Sequence, residues 1–225
     1  MALLDVNDVF FAYPDGDSVR TILDHISVSF EKGNFYAIVG SSGSGKTTFL
    51  TLIAGLDTAQ QGSISFKGKD IRDIGLWEYR RNHIGMVFQS YNLIPYMTGL
   101  ENVLVAMGIS GKTHMKNTAY ELLESIGIAK NKANRNVRRL SGGEQQRIAI
   151  ARAMANQPDI IVADEPTGNL DGETEDTIIG LFRQLAKDKD KCVIVVTHSE
   201  KIAKQADVIL RLHATNGTFV IEENH

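Results

Sequence analysis

The chain has 225 residues, of which 43% are hydrophobic and 23% charged, and 24 Lys+Arg against 27 Asp+Glu leave a formal net charge of −3. This is an ordinary globular composition, long enough for one large domain or a core carrying a subdomain, with no basic surplus to announce a nucleic-acid surface. A single cysteine, Cys192, excludes an intramolecular disulfide framework, and no run approaches the roughly 20 apolar residues that a membrane span needs.

The chain begins MALLDVNDVFF, with early acids and no basic n-region, which is not the pattern of a secretory signal. Three β-rich runs follow, VNDVFFAY, HISVSF and NFYAIVG, punctuated by turn signals at Asp15-Gly16 and Lys32-Gly33. FYAIV is continuously apolar, as expected of a strand buried on both faces. It runs into a glycine-rich loop and then a helical pattern, with Phe49, Leu52 and Ile53 at helical spacing and Gly55 as the stop.

Further apolar runs are IGMVF at 84–88, DIIVAD at 159–164 and CVIVVTH at 192–198, the last two separated by helical sequence. That alternation argues a parallel α/β sheet. Between about 93 and 155 helical patterns dominate, with Thr98, Ser110 or Thr113, and Ser141 as candidate N-caps. The tail VILRLHATNGTFVIEE carries Asn216-Gly217 between two β-like runs, a hairpin signal. The expected fold is α/β, a mostly parallel sheet with an inserted helical subdomain. Residues 1–225 form one domain, with 1–92 and 156–225 making the core and β subdomain and 93–155 the helical part. The chain ends soon after the hairpin, so no regulatory domain is expected.

GSSGSGKT, at 40–47, fits G-x-x-x-x-G-K-[ST] at every fixed position. Backbone N–H groups from Gly40, Ser41, Ser42, Gly43, Ser44 and Gly45 can turn inward around phosphates, and the helix starting near Lys46 adds its positive N-terminal end. Lys46 would reach the β- and γ-phosphates. The Thr47 hydroxyl would ligate Mg²⁺, and Thr48 closes the candidate phosphate-binding set. The plain alternative is a flexible Gly/Ser turn. The position between a buried strand and a helix favours phosphate binding.

Asp164 and Glu165 follow the strand DIIVA, where open α/β sheets bind ligands. Asp164 would hold Mg²⁺ through water, and Glu165 would be the general base for an attacking water. A simple acidic pair at a strand end is the competing reading. Gln89 closes its strand as a solubilising residue or as a sensor of γ-phosphate and Mg²⁺. His198 closes another strand, pointing at the same edge as Asp164, and could contact the γ-phosphate or brace Glu165. Tyr13 is a core or edge aromatic, or stacks on a nucleotide base.

LSGGEQQR, at 140–147, holds a capping box in Ser141 and Glu144. The box does not explain Gly142 and Gly143, each of which disfavours a helix by up to about 1 kcal/mol relative to alanine. Bare backbone at a helix start suits close approach of an anion. The alternating Ala149, Ala151, Ala153 and Ala155, with Ile148, Ile150 and Met154, make the following helix apolar enough to pack rigidly.

Taken together, GSSGSGKT, Gln89, LSGGE, DIIVADEPT, NLD at 169–171 and TH at 197–198 resemble the ATP-binding subunit of an ABC transporter across essentially the whole chain. YRRNHIGMVFQSYNLIPYMTGLENV and DEPTGNLD resemble the MacB/LolD group of macrolide and peptide exporters and lipoprotein-release systems. The resemblance implies a P-loop NTPase core with a mostly parallel sheet, an N-terminal antiparallel β subdomain and an inserted helical subdomain, ATP and Mg²⁺ as ligands, and a head-to-tail homodimer. ATP would lie between the P-loop of one subunit and Ser141, Gly142, Gly143 and Glu144 of the other. Tyr13 then matches an adenine-stacking position, Gln89 the Q-loop, Asp171 the D-loop and His198 the switch histidine. A membrane permease is expected to dock near 90–103, holding the subunit on the cytoplasmic face of the cell membrane, with no nucleic acid. The alternatives are a soluble ABC ATPase in another complex, or a nucleotide-gated mechanical switch with little transport. LDTAQQG lacks a proline often found after LD, and Glu144 stands where Gln is frequent. Neither departure touches the catalytic set.

Overall fold

The computed structural model describes residues 2–16, 18–109, 111, 115–213 and 219–223. The candidate caps Ser110 and Thr113 and the Asn216-Gly217 turn lie outside the described residues. Three strands from the first third, β1 (Leu4–Asp15), β2 (Ser18–Phe30) and β4 (Gln61–Phe66), form an antiparallel sheet with the short β5 (Lys69–Asp70), in the order β2-β1-β4-β5. Alternation sets its inner face: Leu23, Ile26, Val28 and Phe30 are buried, while His25, Ser27 and Ser29 are exposed.

The second sheet is built from β3 (Phe35–Val39), β6 (Ile84–Phe88), β7 (Ile160–Asp164), β8 (Cys192–Val196), β9 (Val208–Leu212) and β10 (Phe219–Glu223). Its order is β10-β9-β3-β8-β7-β6, parallel except for β10, which pairs antiparallel with β9. β3 and β8 are buried throughout, as their unbroken apolar runs require. The period of 2 still operates. Tyr36, Ile38, Cys192 and Ile194 face one core with α1 (Lys46–Ile53) and the antiparallel sheet. Phe35, Ala37, Val193 and Val195 face the other, with α8 (Gly172–Lys187) and α9 (Glu200–Gln205).

The sequence reading passed over residues 61–83, which carry β4, β5, α2 (Ile71–Ile74) and α3 (Leu76–His83). β4 buries only Ile64 and Phe66, too few to stand out as an apolar run. The helix-rich stretch contains α4 (Gly99–Ile109), α5 (Lys116–Ser125), α6 (Lys130–Ala133) and α7 (Gly142–Met154). Thr98 does cap α4: Thr98 Oγ1 accepts from Glu101 N at 3.2 Å, and Glu101 Oε2 accepts from Thr98 N at 2.7 Å. Leu100, Val103, Leu123 and Val137 make a separate helical core. α7 serves both sides, giving Ile148 and Ala151 to the helical core and Ile150 and Met154 to the core against the large sheet. Among the described residues no helix is long and apolar enough to cross a membrane.

Candidate active site

The register of the parallel sheet lines up the candidate residues. Ile38 pairs with Val196, Val196 with Asp164, and Asp164 with Phe88. The next residues of these strands therefore leave one edge together: the 40–45 loop after β3, Thr197 and His198 after β8, Glu165 after β7, and Gln89 after β6. Most of them line a cleft of about 740 Å³, within the usual size of a small-molecule site. Residues 42–48, Gln89, Asp164, Glu165 and His198 all line it, and Tyr13 reaches it from β1. Gly40, Ser41 and Thr197 do not line it; they border a separate pocket that His198 also lines.

The loop has no side-chain cap on α1; its N-cap is Gly45 with φ 94. A Cβ on Gly45 would come within 2.9 Å of Ile22, so glycine is required there for space as well as for the positive φ. The uncapped first turn presents backbone N–H groups to the cleft. Lys46 Nζ donates to Gly40 O and Ser41 O, both at 2.9 Å, which folds its ammonium back over the loop. Burial lowers the Lys46 pKa, against the pull of Glu165 and Asp164.

Thr47 Oγ1 lies 3.3 and 3.5 Å from the two Asp164 oxygens. Burial raises the Asp164 pKa, opposed by that hydroxyl and by Lys46. A desolvated carboxylate beside a hydroxyl is a hard-oxygen donor pair that suits Mg²⁺, so the residues present fit that ion. Glu165 takes the left-handed conformation, φ 44, with its N–H donating to Val196 O at 2.9 Å. This strained turn aims its carboxylate into the cleft. Glu165 Oε2 accepts from His198 N at 3.2 Å and Thr197 Oγ1 at 3.3 Å, while buried Oε1 lies 3.3 Å from His198 Nε2. His198 Nε2 is also 3.4 Å from Lys46 Nζ. His198 thus meets Glu165 through its backbone N–H, while its ring lines the cleft between Glu165 Oε1 and the Lys46 ammonium.

Ser141, Gly142, Gly143, Glu144 and Asp171 do not line this cleft. The capping box is complete: Ser141 Oγ accepts from Glu144 N at 3.3 Å and Glu144 Oε2 from Ser141 N at 2.9 Å. Asp171 caps α8, accepting from Thr174 N at 2.9 Å. The two glycines have a reason that sequence reading missed. Gly143 is buried, and a Cβ there would fall 2.3 Å from Thr174 Cγ2. A Cβ on Gly142 would fall 2.8 Å from Tyr91 Oη. Close packing against Thr174 thus gives Gly143 a reason within the chain, beside the bare backbone it leaves at the start of α7.

Arg20, Ile22 and Gly168 line the cleft without having been singled out. Arg20 pairs with Tyr13 across β1 and β2, so both stand on one face of the hairpin. Counting outward from the Asp15-Gly16 turn would have found it. Gly168 leaves room for Gln89 Nε2, 2.9 Å from where its Cβ would be. Only the folded chain brings those residues together.

The ABC transporter family model matches residues 23–168. An uncharacterized ABC transporter ATP-binding protein, YclH of Bacillus subtilis, is 46% identical over 100% of this chain and 98% of its own length. The lipoprotein-releasing system ATP-binding protein LolD of Idiomarina loihiensis is 39% identical, covering 91% of each chain. The macrolide export ATP-binding/permease protein MacB of Bdellovibrio bacteriovorus is 40% identical over 93% of this chain, which spans 32% of that longer protein. Among solved structures, the dimeric ABC transporter cassette MJ0796 of Methanocaldococcus jannaschii matches with a TM-score of 0.88 at 36% identity, covering 98% of each chain. A post-hydrolysis form of that cassette, bound to ADP and Pi, matches at 0.88 and 35%.

Proposed function

This chain belongs to the ABC transporter family as an ATP-binding subunit and ATPase, and from that premise we propose how its residues bind ATP, hydrolyse it and pass the work on. The observation that carries the reading is the convergence of Lys46, Thr47, Asp164, Glu165 and His198 on one sheet edge beside an uncapped helix start. Tyr13 stacks on the base. The N–H groups of residues 42–45, the start of α1 and Lys46 hold the phosphates, with Thr48 in the next position of the helix. Thr47, Asp164 and Gln89 would hold Mg²⁺, whose charge would offset that of the phosphate oxygens. Glu165 accepts a proton from the water that attacks the terminal phosphorus, ADP departs, and His198 keeps the Glu165 carboxylate aimed.

Ser141, Gly142, Gly143, Glu144 and Asp171 stand outside their own cleft, which supports a head-to-tail homodimer in which they complete the partner's site. An open groove of about 460 Å³ between α3, β6, α4 and α7 is the docking surface for an integral membrane permease. Trp77 and Ile109 are about 60% exposed at its rim, as expected of a protein interface. Only Asn92 of the 90–103 segment lines this groove, so the contact extends to α3 and the end of α4. Through the permease the subunit sits on the cytoplasmic face of the membrane and drives export or extraction of a peptide, drug or lipid-linked substrate.

The test is Glu165→Gln. It retains ATP binding, loses roughly 10²-fold or more of turnover, and accumulates an ATP-dependent dimer in size-exclusion chromatography. Phosphate release at the wild-type rate removes Glu165 from the role of base.

A further inference from the structure

Glu175 lies in the first turn of α8, ten residues beyond Glu165, and does not line the cleft. A glutamate there is favoured by the helix dipole alone. The dipole does not account for its partners. Glu175 Oε1 accepts from Ser199 Oγ at 2.6 Å and from Thr167 Oγ1 at 3.2 Å, and Oε2 lies 3.7 Å from Lys201 Nζ. Its side chain is only 17% exposed, so water competes poorly for these bonds. A hydroxyl donating to a carboxylate also makes a stronger bond than two neutral groups do.

Both hydroxyls belong to segments that hold Glu165. Thr167 is two residues after it, in the loop leaving β7, and is buried. Ser199 is two residues after Thr197, in the loop leaving β8, and caps α9 by accepting from Ile202 N. Ser199 N donates to Thr197 Oγ1 at 2.9 Å, and Thr197 Oγ1 donates to Glu165 Oε2 at 3.3 Å. Thr197 is fully buried and has a single hydroxyl hydrogen. With the Ser199 N–H on the acceptor side of that oxygen, the hydrogen is left to Glu165. Donation therefore runs from Ser199 to Thr197 to Glu165, and Ser199 is itself anchored by donating to Glu175. Glu165 needs such support, because its left-handed φ of 44 persists only where neighbours impose it.

We propose that Glu175 is a positioning residue for Glu165: one carboxylate outside the cleft fixes both the loop that carries the base and the loop that braces it. This rests on the reading of Glu165 as general base. Without Glu175, Ser199 loses its anchor, Thr197 can turn its hydrogen elsewhere, and Thr167 lets the loop after Glu165 relax. The Glu165 carboxylate then points less well at the attacking water, while residues 42–48, which hold the phosphates, keep their places. Misplacing a catalytic group by about 1 Å can cost on the order of 10²-fold in rate, so the loss falls on kcat.

Steady-state ATPase kinetics of the purified full chain, with an isosteric rescue, test this. Glu175→Ala lowers kcat about tenfold with the KM for ATP within about twofold. Glu175→Gln keeps an amide oxygen for Ser199 and Thr167 and stays within about threefold of wild type. Ser199→Ala removes the other end of the 2.6 Å bond. Joined to Glu175→Ala, it lowers kcat no further than the more impaired single variant, as expected of residues that act as a unit. In a Glu165→Gln background, Glu175→Ala leaves the ATP-dependent dimer intact, a readout that damage to the fold would move. Wild-type kcat in Glu175→Ala overturns the proposal. So does a Gln variant as slow as the Ala variant, additive losses from Ser199 and Glu175, or loss of the dimer. Wild-type phosphate release by Glu165→Gln removes the base itself, so failure of the underlying reading shows in a different variant.

Discussion

Asp159→Asn should destabilise the chain by about 2 kcal/mol at neutral pH without touching the cleft. Asp159 precedes β7 at the sheet end opposite the cleft and gathers two lysines and a histidine from three separate segments. Lys32 Nζ, from the β2–β3 turn, lies 3.0 Å from Oδ1. Lys67 Nζ, from the β4–β5 turn, and His83 Nδ1, at the end of α3, lie 3.2 and 3.1 Å from Oδ2. The carboxylate thus pins the antiparallel sheet and α3 to the parallel one. Its side chain is only 19% exposed, so the pairs are poorly screened. Burial by itself would raise its pKa, but the bonds from Lys32, His83 and Lys67 outweigh it and hold the value down from 3.8 to about 2. At 1.36 kcal/mol per pH unit this gives a contribution of about 2 kcal/mol. The folded pKa is depressed, so the contribution is complete above the unfolded carboxylate pKa near 4 and is lost as pH falls toward about 2. Urea unfolding of both proteins, followed by circular dichroism from about pH 7 to pH 2, measures it. The variant should lose about 5–8 °C in melting temperature at neutral pH, with the m-value unchanged, and show a shallower acid limb. Equal midpoints at neutral pH, or parallel acid limbs, would refute the reasoning.

Tyr13→Ala removes a half-exposed ring at the mouth of the cleft, and loss of base stacking worth about 1–2 kcal/mol should raise the KM for ATP roughly 5- to 30-fold; an unchanged KM assigns the base elsewhere. Gly143→Ala should cost about 1–3 kcal/mol of stability by overpacking against Thr174, and Thr174→Ser should return most of it in urea titrations, because the clashing atom is the Thr174 methyl. Glu144→Ala should cost about 1 kcal/mol through loss of the α7 cap, also read by urea unfolding. The Lys132 bond, followed by the Ser141 backbone, holds the Glu144 pKa down, so that contribution should vanish on acidification below the ordinary carboxylate range.

Local chemistry was legible wherever one short segment carries all of it. GSSGSGKT reads as a phosphate loop because its glycines, lysine and threonine are consecutive, and FYAIV and CVIVV read as buried strands because both faces need apolar residues. The capping box at Ser141 and the hairpin pairing of β9 with β10 follow from the same locality. β4 and α3 were hidden because each buries few residues and so leaves little periodic signal.

By itself, the sequence determined the strand–loop–helix of the phosphate site, the parallel core and the order in which Lys46, Gln89, Asp164, Glu165 and His198 arise. Tertiary structure alone decided that Glu165 is braced by Thr197 and His198, that Asp159 collects Lys32, Lys67 and His83, and that Arg20 faces the cleft beside Tyr13. It also decided that Gly143 of LSGGE packs against Thr174 and that Gly142 faces the Tyr91 hydroxyl. The physical reason is separation along the chain. Tyr91 and Gly142 are 51 residues apart. Propensity and periodicity report only on neighbours within a turn or a strand, whereas steric exclusion and charge pairing act wherever the fold brings atoms within a few ångströms.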